Sequence, residues 1–515
     1  MASETGDTSV PISAAGTSSA TGAAIIARQD RIPIWSLSYL FIGIIGIGFL
    51  FTFFDIFDIT VSFIQTCTQI VPGCNPGNSA TYLGLPVELN LAGYVVGALI
   101  LSPLADRFGR RDMLLFTLLL TGIGSLYTLF VGDYTSFIIA RLVTGIGIGA
   151  DLALVNTYIN EVAPSNGRAR YTSLIFIMSS LGAFFGIWLG LWLTTPAAPF
   201  PSGLPFALAT VSGPQFLGPG WRIMYGIGAV LAVVGILLRF QLPESPRWLI
   251  TRGRVDEADR IVTHMEERAR RRVPDLPPPG TDLQVQTEAP RISYTEIFSN
   301  PLYLRRTVFL IVVWFLGYVT VYAIAQGLTT LLAGMIPLPP GLPKPVAEGA
   351  VAGEAGMIAA FGTFGFIATT VFAYFYGERL ERKLWLPIAA ILTLIGGLLI
   401  AFFASSNFAL AAIGSIITFF GFNLWVPMSY AWTTENFPTR ARATGFALAD
   451  GIGHLGGGVG ILVIAPLIPT LLASLGVPAG PVVVFLIIVA FLIVAAIIAQ
   501  FGAATRGKRL DEVSP

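Results

Sequence analysis

Charge is scarce in this chain: only 11% of its 515 residues are Asp, Glu, Lys or Arg, where soluble globular proteins carry about a quarter. Histidine and cysteine are rarer still, with two of each. The low charge, with 54% hydrophobic residues and a mean hydropathy of +0.75, excludes a soluble fold and leaves a polytopic membrane protein. A formal net charge of +1 gives no basis for nucleic-acid binding. No GxxxxGK[ST] phosphate loop occurs, which argues against ATP-driven chemistry. No catalytic or metal-ligating constellation is read and no cofactor is expected. The first 27 residues, rich in Ser, Thr, Gly and Ala, lack the basic and apolar regions of a signal peptide and read as a disordered tail. Cys67 and Cys74 share the segment "CTQIVPGC", a spacing that fits a loop disulfide or two free thiols equally.

What the chain has in quantity is long apolar runs, each near the roughly 20 residues that cross a hydrocarbon core. They cover 34–64, 83–104, 113–131, 134–162, 171–194 and 221–242, then 305–334, 353–376, 385–404, 407–434, 443–473 and 480–502. The implied fold is an all-α membrane protein of twelve spans in two six-helix bundles. Its expected parts are an N-tail (1–33), a first bundle (34–242), a linker with short helices (243–303), a second bundle (304–503) and a C-tail (504–515). With both termini cytoplasmic, every Lys and Arg but Arg141, Arg222 and Lys344 falls on the inner side, as the positive-inside rule requires. The halves echo each other: "ADRFGRR" answers "GERLERK", with Asp106 and Glu378 separated by 272 positions, and "NEVAPSNGRAR" answers "TENFPTRAR", with Glu161 and Glu435 separated by 274. Two echoes at nearly one offset point to a duplicated six-helix unit with a binding site between its copies.

The same residues resemble the major facilitator superfamily from about Ile34 to Ser514. "LADRFGRR" is similar to its loop 2–3 signature and "RLVTGIGIG" to its span 4 pattern. "PESPRWLITRGRVDEA", "NEVAPSNGRAR", "TENFPTRARATG" and "TRGKRLDEVS" resemble the sugar-porter branch and its nicotinate-type and synaptic-vesicle-type relatives. Two features depart from sugar porters. Span 7 reads "WFLGYVTVYAIAQGL", keeping only Gln326 of a Gln-rich sugar-binding pattern, and span 1 carries an Asp-x-x-Asp similar to proton-coupled organic-anion carriers. The resemblance implies a monomeric plasma-membrane secondary transporter, a proton symporter for a small polar or anionic metabolite. A proton-independent sugar or polyol facilitator, or a non-transporting receptor on the same fold, is the alternative.

The candidate site residues follow from intramembrane polarity. Asp55 and Asp58 share a helix face, and Asp58 and Arg141 both lie roughly 10 Å below the outer surface at 1.5 Å per residue. The expectation is an Asp58–Arg141 pair that exchanges its partner for a proton, with Asp55 as a second titrating group or a substrate contact; a static pair locking two helices is the alternative. Asp450 and His454, at i and i+4 on span 11, suit a proton shuttle, an anion site when both are protonated, or simple packing. Asp151, Asn156, Trp314, Tyr318, Tyr322, Gln326, Asn423 and Trp425 are the candidate substrate contacts, several of them aromatic bodies with polar tips. On the inner side, Asp106, Arg107, Arg110 and Arg111 face Glu161 and Arg170, while Glu378, Arg379 and Arg382 face Glu435 and Arg442. These networks can close an inner gate or serve topology alone.

Overall fold

The computed structural model describes residues 14–164, 168–208, 220–279, 293–377, 379–437, 441–464, 474, 480–506 and 513. Eleven helices among them are long and apolar enough to cross a membrane, and Arg442–Val459 fills the remaining place in the order. In the first half, span 1 is Tyr39–Phe57 followed by Ile59–Ile70, which meet at Asp58. Span 2 is Ser79–Val96, a π turn at Gly97–Leu101 and Ser102–Phe108. Arg110–Phe130, Tyr134–Val162, Arg168–Thr194 and Gly220–Arg239 are spans 3 to 6. In the second half, span 7 is Pro301–Ala325 and Leu328–Met335, and spans 8 to 10 are Lys344–Tyr376, Trp385–Phe403 and Phe408–Glu435. Span 11 continues into a π turn at Gly460–Ile464, and span 12 is Pro481–Ala499.

Local chemistry sets several ends. Asp133 caps span 4 by accepting from the Ser136 amide at 2.9 Å. Span 8 begins at Lys344, nine residues before the apolar run expected at 353, because Pro343 and Pro345 set helical φ at its start instead of breaking it. Spans 2 and 4 approach to backbone contact: a Cβ on Gly145 would stand 1.9 Å from the Asn90 carbonyl oxygen. That requirement explains Gly145 and Gly149 of "GIGIG", while Gly147 between them gives Thr121 and Thr117 of span 3 the same close approach.

The halves meet along three seams. Spans 1 and 7 touch where both are interrupted: the Gln326 side chain donates to the Ile56 carbonyl at 2.8 Å, and the Thr60 hydroxyl to the Ala325 carbonyl at 3.0 Å. Spans 5 and 8 are joined by the Ser180 and Thr370 hydroxyls, 2.9 Å apart, and by Trp188 Nε1 donating to Thr363 at 3.2 Å. Spans 2 and 11 run antiparallel in van der Waals contact from Gly84 against Leu462 to Ala98 against Gly451. Cys67 and Cys74 are disulfide-bonded between spans 1 and 2, and mark one side of the bundle; the linker marks the other.

The linker forms helices Pro246–Thr251, Val255–Arg270 and Ser293–Ser299. Ala258, Val262, Met265 and Ala269 of the second turn one stripe inward. Against it packs a helix that corrects the expectation of a disordered tail where the tail is described: Ala14–Asp30 is helical, with Ile25 and Ile26 buried against Trp248, Leu249 and Val262, and residues 1–13 lie outside the described residues. Its helicity comes from this docking, which the tail's own composition does not announce. Arg28 donates to Glu266 at 2.9 Å and to Asp259 at 2.5 Å, Arg31 donates to Glu266 at 2.5 Å, and Gln29 reaches the Glu161 carbonyl at 2.7 Å. Burial pushes the Glu266 carboxyl up, but the hydrogen bonds and charges of Arg28 and Arg31 outweigh it and hold it below its ordinary value. A depressed carboxyl contributes stability above its unfolded value and loses it as pH falls through the folded one. Glu266→Ala is therefore expected to make trypsin cut after Arg28 and Arg31 several times faster than in the parent. In the parent, amide protection over 22–30, relative to the intrinsic exchange rate at each pH, should fall on acidification below the ordinary glutamate range; an unchanged digestion pattern and unchanged protection would refute the clasp.

Candidate functional site

Two polar clusters lie inside the spans. In the first half, Arg141 of span 4 donates from Nη1 to Asp55 Oδ2 at 3.2 Å and from Nη2 to the Asp55 carbonyl at 3.0 Å. Ser125 of span 3 donates to Asp55 Oδ1 at 2.7 Å. Asp58 Oδ1 is 4.0 Å from Arg141 Nη1, and neither of its carboxylate oxygens has a hydrogen-bond partner among the described residues. All three ionisable residues are buried. This corrects the expected pairing, because the guanidinium is bonded to Asp55 and only adjacent to Asp58. The two acids are separated by about 4.5 Å along the helix, less than the reach of an arginine side chain, so counting depth along the backbone could not choose between them.

The second cluster is at the seam between the halves. Asp450 accepts from Tyr94 of span 2 at 2.8 Å and from Tyr318 of span 7 at 2.9 Å. His454 Nδ1 is 2.7 Å from the Asp450 carbonyl and 3.5 Å from its carboxylate. The imidazole is flanked by Tyr94, stacked at 3.9 Å between centroids, and Tyr318 at 4.1 Å. Tyr322 is 5.8 Å away. Trp314 continues the wall, 4.8 Å from Trp425 and 5.2 Å from Tyr430, and its Nε1 donates to Thr433 at 2.9 Å. Trp425 Nε1 is buried without a hydrogen-bond partner among the described residues. Asp450, His454, Trp314, Tyr318, Tyr322 and Trp425, chosen separately from the sequence, thus share one aromatic cage. Tyr94 and Tyr430 were missed; their signal was a phenol near the middle of an apolar span.

Four other candidates lie elsewhere. Asp151 is not in the cage: Arg239 of span 6 bonds both its carboxylate oxygens, at 3.1 Å for Nη2, and Thr117 donates to it at 2.9 Å. Gly48 of span 1 leaves room for that guanidinium, since a Cβ there would stand 2.1 Å from Arg239 Nη2. The sequence hid Arg239 because a basic residue at the end of an apolar run reads as a loop flank. Asn156 donates to its own helix at the Leu152 carbonyl, 2.9 Å away, and Gln326 is taken up by the link to span 1. Asn423 is buried two residues before Trp425, about 200° round the helix and so on the opposite face.

On the linker side, Arg110 Nε meets Glu161 at 3.1 Å and Arg382 Nη2 meets Glu435 at 3.3 Å, equivalent pairs in the two halves. Each joins neighbouring helices of one half. Glu435 also accepts from Thr505, and Glu244 receives the backbone amides of Arg110 and Arg111, at 3.1 Å for the former. Burial raises the Glu244 carboxyl, partly offset by these amides and that of Ser245. Arg107 and Arg379 rest over the rings of Phe108 and Tyr376. The side chains of Asp106, Arg170 and Arg442, and all of Glu378, lie outside the described residues.

Twelve spans in two equivalent halves, with a polar cage at their seam, define a major facilitator transporter. The chain belongs to the sugar (and other) transporter family, whose pattern matches residues 39–515. It is 27% identical over 503 residues to the niacin transporter NiaP of Acinetobacter baylyi, covering 95% of this chain and 99% of that protein. It is 26% identical to the 4-hydroxybenzoate transporter PcaK of the same organism, covering 74% of this chain and 75% of that one. Among solved structures, a partially occluded inward-open form of the xylose transporter XylE from E. coli is similar in fold, with a TM-score of 0.66 at 19% identity over 92% of this chain and 100% of that one.

The Asp151–Arg239 pair is therefore expected to act in folding. Asp151→Asn strands a buried guanidinium, which typically costs about 3–5 kcal/mol, and should lower the Tm of the detergent-solubilised protein. Asp151→Leu combined with Arg239→Met should recover most of the loss. A weakened substrate affinity at unchanged Tm would return Asp151 to the binding site.

Proposed function

We propose that the protein is a proton symporter that imports a small polar or anionic metabolite by alternating access, binding it in the cage between spans 2, 7, 10 and 11. The observation that carries this reading is the arrangement of one guanidinium and two buried carboxylates. Arg141 compensates Asp55 by direct hydrogen bonds, while Asp58 is left 4.0 Å away with no side-chain donor among the described residues. Burying an ion without a partner costs several kcal/mol or more, so Asp58 is best accommodated here with a proton on it. When Arg141 swings toward Asp58, Asp55 takes over the need for a proton or for solvent. Moving the guanidinium between two acids one helical turn apart converts a shift of spans 1 and 4 into uptake or release of a proton.

Substrate chemistry is read from the cage. Its walls are Trp314, Tyr318, Tyr322, Trp425 and Tyr430, surfaces for a flat ring, and its polar groups are Asp450, His454 and the unpartnered Trp425 Nε1. The similarity to carriers named for niacin and 4-hydroxybenzoate, both ring carboxylates, favours a small aromatic acid over a hexose. The linker side and both termini are assigned to the cytoplasm of a plasma-membrane monomer. The Arg110–Glu161 and Arg382–Glu435 pairs belong to the cytoplasmic gate, tightening each half where the loops turn.

Asp58→Asn mimics the protonated acid permanently. It is expected to abolish uphill accumulation driven by a pH gradient while leaving counterflow near the parental rate, in proteoliposomes assayed with labelled nicotinate, 4-hydroxybenzoate, phosphate and sugars. Gradient-driven accumulation that survives the substitution would end the coupling assignment. Uptake of sugars alone, indifferent to pH, would turn the reading to a facilitator.

A further inference from the structure

Span 2 carries a carboxylate that neither cluster uses. Glu88 lies nine residues from the first residue of the span, about 14 Å along the helix from the disulfide side. It sits on the seam between the halves. A Cβ on Gly458 of span 11 would fall 1.6 Å from Glu88 Oε2 and 2.7 Å from its α-carbon, so the acid lies directly on the glycine backbone. Oε2 is buried and has no hydrogen-bond partner among the described residues.

Glu88 occupies a definite place in the series of contacts between spans 2 and 11. Gly84 meets Leu462, Glu88 meets Gly458, Tyr94 stacks on His454 and Ala98 meets Gly451. Glu88 is thus the rung on the disulfide side of the Asp450–His454 pair, six residues from Tyr94 on its own helix and opposite a glycine one turn beyond His454.

Among the described residues, the groups packed around it offer no compensating charge. The π turn Gly460–Ile464 and the segment Leu328–Met335 contain no ionisable residue. Ile59–Ile70 of span 1 contributes only Cys67, which is in the disulfide. Span 4 contributes Arg141, which is turned to Asp55, and Tyr134, whose hydroxyl donates to the Tyr82 carbonyl at 2.6 Å. Span 7 contributes Tyr322, against Gly457. Span 11 contributes His454, which is engaged with Asp450.

We propose that Glu88 is a proton-binding carboxylate of the seam, which must take up a proton for spans 2 and 11 to close on the disulfide side. Open, that side gives both carboxylate oxygens water; closed, as here, it sets Oε2 on a glycine backbone away from water while the residue as a whole stays partly exposed. Closing the seam over a neutral carboxyl costs less than closing it over an ion. One proton from the water on that side binds the carboxylate before closure and returns to water when the seam reopens. Gly458 is needed because any side chain there would displace the acid. The proposal rests on the symport reading in assigning that proton to the transport cycle, but the protonation of Glu88 can be tested separately.

The test compares the parent with Glu88→Gln and Glu88→Asp in proteoliposomes, together with infrared titration of the protonated-carboxyl stretch. Glu88→Gln is expected to flatten the pH profile of counterflow, keeping exchange fast at alkaline pH where the parent slows, and Glu88→Asp to restore a pH dependence. In the infrared, Glu88→Gln should lose one titrating carboxyl that Asp58→Asn retains. Coincident pH profiles for the parent and Glu88→Gln, or a full complement of titrating carboxyls in Glu88→Gln, would overturn the assignment. If accumulation by the parent ignores the proton gradient while Glu88→Gln still loses its infrared band, the symport reading fails and the Glu88 site stands.

Discussion

A charge inside a membrane protein has to be compensated by its neighbours, and in this chain the compensation is uneven. The described residues hold two fully buried arginines, Arg141 within span 4 and Arg239 at the end of span 6. Arg239 is matched one to one with Asp151, and hydrogen bonds from Thr117 and to the Leu114 carbonyl complete the site. Arg141 has two carboxylates within 4.0 Å and bonds only one of them. The first arrangement has a single satisfied state and fixes spans 3, 4 and 6 together. The second has two nearly equivalent states, and a structure that must move is expected to hold such a degeneracy somewhere.

The distribution of bond types follows the same logic. Arg141–Asp55, Arg239–Asp151, Arg110–Glu161 and Arg382–Glu435 each join helices of one half. The contacts that cross between the halves are mostly neutral: Thr60 and Gln326 to backbone carbonyls, Ser180 to Thr370, Trp188 to Thr363. Neutral hydrogen bonds contribute about 0.5–1.5 kcal/mol each and exchange readily with water, whereas bonds to charged groups contribute about 1.5–3 kcal/mol. Two bodies strongly tied within and weakly tied between suit the rocking that the proposed alternating access requires. Tyr94 donating to Asp450 is a crossing hydrogen bond that does involve an acid, and it lies in the cage.

Much of this was legible in the sequence, for physical reasons that also mark where legibility ends. Span count, the two halves and the segregation of basic residues follow from transfer free energies summed over some twenty residues, where single errors average out. The cage residues on spans 7, 10 and 11 were found because aromatic and ionisable side chains are conspicuous in lipid-length runs. Choosing Asp55 over Asp58, or finding Arg239 opposite Asp151, depends on side-chain reach and helix rotation, which no periodicity encodes. The helix Ala14–Asp30 was invisible for another reason: a segment of Ala, Ser, Thr and Gly has no strong pattern of its own, and Arg28 and Arg31 acquire meaning only beside Glu266. Span 8 began early because prolines that break a helix in its interior start one at its first turn.

The cage itself constrains the proposed chemistry. Around Asp450 the described polar groups of the cage are four phenols, two indole N–H groups and one imidazole, with neither Arg141 nor Arg239 bonded to them. A cargo bearing a carboxylate would therefore enter a site whose resident charge has its own sign. Two like charges cannot be buried together in a low-dielectric seam, so the anion is tolerated only if Asp450 is neutral, His454 is charged, or the cargo arrives protonated. Each route adds one proton to the loaded carrier. In the proposed site a carboxylate cargo would thus bind together with a proton, beside the one that Asp55 and Asp58 are proposed to exchange.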